Sequence, residues 1–143
     1  MEKTVKLIEF KTTRTIDARA EDLYDAWLNP KIPGTPWNKA ERVIMQPEVN
    51  TVFWFEVLVD YPHAHYGRFL RLDPSRQIVL TWVSQNTAGL ESTITVTFDK
   101  KENGTLMTLV HTGLPDTPSG RDHQEGWNYF MDLFAGQFSK KKK

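Results

Sequence analysis

The closing segment, Ser119 to Phe138, most constrains what this chain can fold into. Trp127, Phe130, Met131, Phe134 and Phe138 recur at three- and four-residue steps, so they form one broad apolar face of a helix. A face that aromatic needs a sheet to cover. The preceding sequence supplies strands in series, so the expectation is a long helix lying across a sheet. A curved sheet closed on one helix leaves a gap at one end, and such gaps take small molecules.

The first strand reads from Leu7 to Ile16, with Ile8, Phe10, Thr12, Arg14 and Ile16 in one parity. Ala20 to Leu28 reads as a short helix. Leu23, Ala26 and Trp27 give it an apolar side, Glu21, Asp22 and Asp25 a wet one, and Asn29-Pro30 stops it. Pro30, Pro33, Gly34 and Pro36 leave room for at most one more helical turn before Trp37. Two short helices are therefore expected after the first strand. Ala40 to Gln46, Thr51 to Asp60, His63 to Leu72, Gln77 to Ser84, Gly89 to Phe98 and Thr105 to Thr112 read as further strands. Asp73-Pro74-Ser75-Arg76 carries a turn signature and Asn103-Gly104 a hairpin signature. Gly113-Leu114-Pro115 reads as a strand end. Phe69, Leu70 and Leu72 break the alternation of their strand and leave its inward parity open. Short connections imply antiparallel pairing. The fold class is α+β: a curved antiparallel sheet of six to seven strands wrapped on the C-terminal helix, one domain over residues 1–143.

The bulk numbers exclude several classes. Formal net charge is zero, so no global field draws in nucleic acid or an acidic membrane. No cysteine is present, which removes disulfides, thiolate nucleophiles and cysteine metal sites. The first residues lack an apolar signal region, and no stretch approaches the roughly 20 apolar residues that cross a bilayer. Cytoplasm is the expected location. The four lysines from Lys140 to Lys143 read as a frayed, solvated tail. The expected state is a monomer or homodimer with neither a nucleic acid nor a membrane as partner.

The order strand, helix, meander, long helix resembles the helix-grip fold of the START and Bet v 1-like (SRPBCC) superfamily. The residues carrying the resemblance are Ile16-Asp17-Ala18, Tyr24-Asp25-Ala26-Trp27 and Asn29-Pro30. They continue with Gly67-Arg68-Phe69, Gln77 to Trp82, Thr95 to Phe98, Gly104-Thr105, His111 to Leu114 and Glu125-Gly126-Trp127. Within the superfamily the chain is most similar to bacterial relatives of the C-terminal domain of the heat-shock-protein-90 ATPase activator. Two departures stand out. Arg19-Ala20 replace a small residue and proline, so the first helix loses its usual cap. Asn50-Thr51 replace a glycine pair, although asparagine can also take a left-handed conformation. The superfamily includes lipid carriers, hormone receptors, cyclases, hydrolases and co-chaperone domains, so the resemblance implies the fold and does not choose a function.

Candidate chemistry is sparse. His63 and His65 share a strand face, and with Glu56 or Asp60 they could ligate a metal, but strand-start histidines more often face solvent or bond to loops. His111 shares parity with Met107 and Leu109. It reads as a core histidine bonded to a hydroxyl, ahead of a general acid or base. His123 lies one turn before Trp127, near the expected cavity mouth, where it could meet a polar ligand group, but it reads first as a solvated helix position. No catalytic residue, metal or cofactor is assigned. The expected cavity lining is Phe53, Phe55, Val57, His65, Phe69, Leu80, Trp82, Ile94, Met107, Leu109, His111, Trp127, Phe130, Met131 and Phe134, with Tyr66 assisting orientation. The leading expectation is a binding protein for a small apolar or aromatic ligand. The alternatives are a chaperone-interacting protein and a cyclase- or hydrolase-like enzyme using His111 or His65.

Overall fold

The computed structural model of the protein describes residues 6–58 and 60–138. The expectations for the chain start and the lysine tail lie outside these residues. Seven strands form one sheet: β1 (Leu7–Ile16), β2 (Arg42–Ile44), β3 (Val52–Leu58), β4 (Pro62–Asp73), β5 (Gln77–Ser84), β6 (Ser92–Lys101) and β7 (Gly104–Pro115). The order across the sheet is β1-β7-β6-β5-β4-β3-β2, and every neighbouring pair is antiparallel. Helix α1 (Ala20–Trp27) follows β1, and α2 (Pro118–Gly136) closes the concave face of the curved sheet. The expected α+β architecture is the one observed. Among the described residues no helix is long and apolar enough to cross a membrane.

Helix α2 starts where its chemistry allows. Pro118 occupies the first turn, where a missing N–H costs nothing, and the Thr117 hydroxyl accepts the Gly120 N–H at 3.0 Å. Its inward residues Trp127, Met131 and Phe134 are buried. A polar clip fixes the same helix to β1: Arg14 Nε donates to Asp132 Oδ1 at 2.7 Å, and the Thr12 hydroxyl bonds to the Asn128 side chain. Helix α1 has no side-chain cap at Arg19, as the departure from the family pattern implied. Asn50 takes a φ of +73°, so the bend before β3 is kept without a glycine.

The structure corrects three details of the sequence reading. A single helix follows β1. Residues 29–39 are successive turns, because Pro30, Pro33 and Pro36 withhold the N–H donors a second helix would need. β7 does not end at Gly113. That glycine adopts φ +80° inside the strand, and the β1–β7 register shifts between Ile8 and Phe10, so it makes a bulge and pairing resumes to Pro115. β6 begins at Ser92, because residues 85–87 form a 3₁₀ turn held by a reciprocal capping box between Ser84 and Thr87.

The broken alternation in β4 also has a cause. The β4–β5 register shifts between Phe69 and Arg71, which leaves Leu70 as an extra residue. Phe69 pairs with Leu80 and Leu72 with Ile78, and both pack inward although three positions apart. Leu70 is left 39% exposed.

The turn-rich segment after α1 drives Trp37 into the core. Its ring meets Trp27, Phe53, Phe55 and Phe69 at centroid distances of 5.7, 5.2, 5.8 and 6.1 Å, and its Nε1–H donates to the Trp27 carbonyl at 2.8 Å. Gly34 anchors the segment on α2. It has φ +94°, and a Cβ there would lie 2.3 Å from the Phe134 backbone nitrogen. Gly34→Ala is therefore expected to cost on the order of 2–3 kcal/mol, read as a lowered urea midpoint at unchanged slope. A change within a few tenths of a kcal/mol would show that this contact is not tight.

Candidate functional site

The wide part of the grip is filled. Phe53, Phe55, Phe69, Leu80, Ile94, Met107, Leu109, Met131 and Phe134 are at most 2% exposed and pack with Trp37 into one core, with Val57 against its edge. Space remains at one end of the sheet, between the N-terminal half of α2, the ends of β4 and β5, and the 3₁₀ turn. This pocket measures about 240 Å3 and is lined by His65, Trp82, Asn86, Ser119, Asp122, His123, Gly126, Trp127 and Phe130. Of the residues singled out from sequence, His65, Trp82, Trp127 and Phe130 form its wall. The wall also includes His123, which the sequence placed in solvent, together with Asn86, Ser119, Asp122 and Gly126. Tyr66 lies on the outer face of the sheet, 47% exposed.

Helical geometry explains the α2 contribution. Residues 119, 122, 123, 126, 127 and 130 fall on one stripe at three- and four-residue spacing. Gly126 supplies the room, since a Cβ added there meets no heavy atom within 4 Å. Trp82 and Trp127 pack with centroids 5.3 Å apart, and Phe130 meets Trp127 edge-on at 6.1 Å. His65 stacks flat on Phe55 at 4.8 Å and tilts against Trp82 at 5.1 Å.

His111 sits behind this wall, fully buried and outside the pocket lining. Its hydrogen positions follow from its partners. The Trp127 indole Nε1–H can only donate, and it reaches His111 Nδ1 at 3.0 Å. Nδ1 is therefore the acceptor and Nε2 carries the hydrogen. Nε2–H donates to Ser92 Oγ at 2.8 Å, and Ser92 Oγ–H donates to the Trp82 carbonyl at 2.6 Å. Burial holds the His111 pKa down to about 3, and nearby His123 pushes it the same way. Both ring nitrogens are occupied, so His111 offers the pocket no free lone pair. The hydroxyl partner expected for a core histidine is Ser92.

The pocket histidines behave differently. Burial lowers His65 to about 4, opposed by a hydrogen bond to the His63 carbonyl and aided by repulsion from His123 and His63. His123 is also lowered, chiefly by burial, and its ring stands edge-on to His111 at 5.2 Å. Both are neutral near pH 7. His63 stacks on Tyr61 at 4.4 Å, and Gln85 Nε2 donates to His63 Nδ1 at 3.1 Å, which ties the β3–β4 turn to the pocket rim. Among the described residues no group of three or more His, Cys, Asp or Glu could hold a metal ion. A wider, open depression of about 1060 Å3 lies at the other end of β6 and β7. Arg19, Glu21, Asp22, Lys100, Lys101 and Glu102 line it without any aromatic wall.

A curved antiparallel sheet closed on a C-terminal helix, with an aromatic pocket at one end, defines a helix-grip domain. A model of the family described as Activator of Hsp90 ATPase homolog 1-like protein matches residues 17–138. The chain belongs to that family. No curated protein matches it significantly. Among solved structures, protein CV1439 of Chromobacterium violaceum is similar over 93% of this chain and 98% of its own, with a TM-score of 0.79 at 22% identity. The AHSA1-like protein of Aeromonas hydrophila is similar over 95% of this chain and 99% of its own, with a TM-score of 0.69 at 15% identity. DynU16, from the dynemicin biosynthetic locus, has a TM-score of 0.69 at 14% identity over 90% of this chain, which spans 46% of DynU16. At such identities the likeness concerns the fold.

Proposed function

We propose that the protein binds a small, largely apolar aromatic molecule in the pocket between β4, β5 and α2. The observation that carries this reading is a void of about 240 Å3 walled by Trp82, Trp127 and Phe130 in an otherwise filled core. Its size lies below the roughly 300–1,000 Å3 of drug-sized sites, so the occupant has one or two rings. Burying about 200 Å2 of such a ligand would contribute roughly 5 kcal/mol before the costs of association, so apolar burial alone supports an affinity no tighter than about 0.2 mM.

Gly126 provides the test. The Cβ of Gly126→Leu would meet no heavy atom within 4 Å, and the rest of the side chain should reach into the void. Replacing a mid-helix glycine removes a helix-propensity penalty of about 1 kcal/mol, so stability should hold or rise. A neutral naphthalene-based probe should quench the wild-type tryptophans, and the variant should bind it at least tenfold more weakly. Equal binding by the two proteins would remove the pocket from consideration.

A second reading is contact with an Hsp90-type chaperone. It draws on the family description and on an apolar row across the outer face of the sheet. Ile44, Trp54 and Tyr66 are in register on β2, β3 and β4, and Ile44 is 64% exposed. A change in chaperone ATPase turnover on adding the protein, lost in Ile44→Glu, is its measurement.

A further inference from the structure

The outer face of the sheet is two surfaces of opposite character. On β1 it carries Glu9, Lys11 and Thr13, and on β6 Thr93, Thr95 and Thr97, the wet side expected of an antiparallel sheet. On β2, β3 and β4 it carries Ile44, Val52, Trp54, Leu58, Tyr66 and Leu70. All of these except the half-buried Trp54 are between 39% and 64% exposed. Together they present on the order of 600 Å2 of mostly apolar surface, the upper end of what a monomer leaves uncovered. The strand registers arrange them in rows. Ile44, Trp54 and Tyr66 make the middle row. Arg42, Glu56 and Ala64 lie on one side of it, Val52 and Arg68 on the other. Leu58 continues the first side along β3, and Leu70 continues the second along β4. Neither Glu56 nor Arg68 has an ion-pair partner among the described residues.

We infer that this half of the outer face docks on the same half of a second copy of the chain, about a two-fold axis running along the Ile44–Trp54–Tyr66 row. The surface is complementary to itself under that rotation. The middle row meets its own image, apolar on apolar. The row holding Glu56 is laid over the second copy's row holding Val52 and Arg68. The carboxylate and the guanidinium that lack partners within one chain then face each other, once on each side of the axis. Leu58 comes over the end that holds Leu70 in the second copy. With Arg42, Glu56 and Arg68 at the rim, each copy offers roughly the 800 Å2 of a specific dimer. Two sheets packed this way lie face to face about 10 Å apart with their strands nearly aligned. The inference is independent of the pocket, whose lining lies between the inner side of the sheet and α2.

Sedimentation equilibrium of the full chain measures this directly. Over concentrations from about 1 to about 500 μM the protein should follow a monomer–dimer equilibrium with a dissociation constant of roughly 10–100 μM, as suits an interface at the small end of the specific range. Ile44→Glu sets a carboxylate against its own image at the axis and should raise that constant about tenfold or more. Glu56→Arg and Arg68→Glu alone should each raise it several-fold. The double exchange E56R/R68E restores opposite charges across the axis and should return it to within about twofold of the wild type. Urea midpoints of the dilute variants should stay near the wild-type value, since none of the three side chains belongs to the core. A monomer at every concentration would overturn the inference and leave the row free for a chaperone. A dimer indifferent to Ile44→Glu, or a double exchange no better than the single ones, would overturn it as well. None of these results bears on the pocket.

Discussion

Trp37→Ala should lower the stability of this protein by roughly 3–5 kcal/mol. The ring is 1% exposed and touches four other aromatic rings, and its indole hydrogen bond to Trp27 fixes the segment after α1. Truncation removes that transfer energy and leaves a large void lined by Phe53, Phe55 and Phe69, which local collapse cannot close because those rings sit on paired strands. Urea unfolding should show a lower midpoint. Indole or benzene added at high concentration should restore part of the loss by occupying the apolar hole. A loss under about 1 kcal/mol would mean that the Trp37 ring does not fill the core as its contacts imply.

Mild acid should destabilise the protein at the pocket end of the sheet. His111 and His65 are held neutral in the folded state with pKa values lowered to about 3 and about 4, against about 6.5 in an unfolded chain. Between those values the unfolded chain binds more protons, so stability rises with pH. The contribution is complete above about pH 6.5 and is lost as pH falls toward the folded-state values. For His111 alone the loss by pH 4.5 is on the order of 3 kcal/mol. Protonation at Nδ1 would also set an N–H against the Trp127 indole N–H. Urea midpoints at pH 7.5 and 4.5 measure the effect. His111→Gln, which keeps a donor and an acceptor but does not titrate, should flatten the slope. Equal stability of the wild type at the two pH values would contradict the buried neutral state.

Much of this was legible from residue order. Alternation set β1, β5 and the inward parity of Ile94, Val96 and Phe98, and the 3.6-residue period set α2, because each depends on local geometry alone. The parity of β4 was not legible. A period-two argument assumes one register, and Leu70 interrupts it. Gly113 looked like a terminator because a left-handed glycine serves a bulge and a strand end equally well. The pocket was half legible. Trp82, Trp127 and Phe130 are large and apolar and announce themselves. Asp122 and His123 are polar, and Gly126 is an absence of side chain, so only their shared stripe with Trp127 could have pointed to them. The plug at Trp37 had no periodic signal, since prolines remove the regularity on which such reading depends.

The line of hydrogen bonds from Trp127 through His111 and Ser92 to the Trp82 carbonyl begins with a group that never accepts and ends with one that never donates. Such a wire has one polarity and no inverted twin. A half-turn of the imidazole would set ring C–H groups against the Trp127 indole hydrogen and Ser92 Oγ and break both bonds, so ring reorientation there has to wait for the whole assembly to come apart. Proton exchange at these sites should therefore follow the slow breathing of this end of the sheet, not the fast rattling of individual rings.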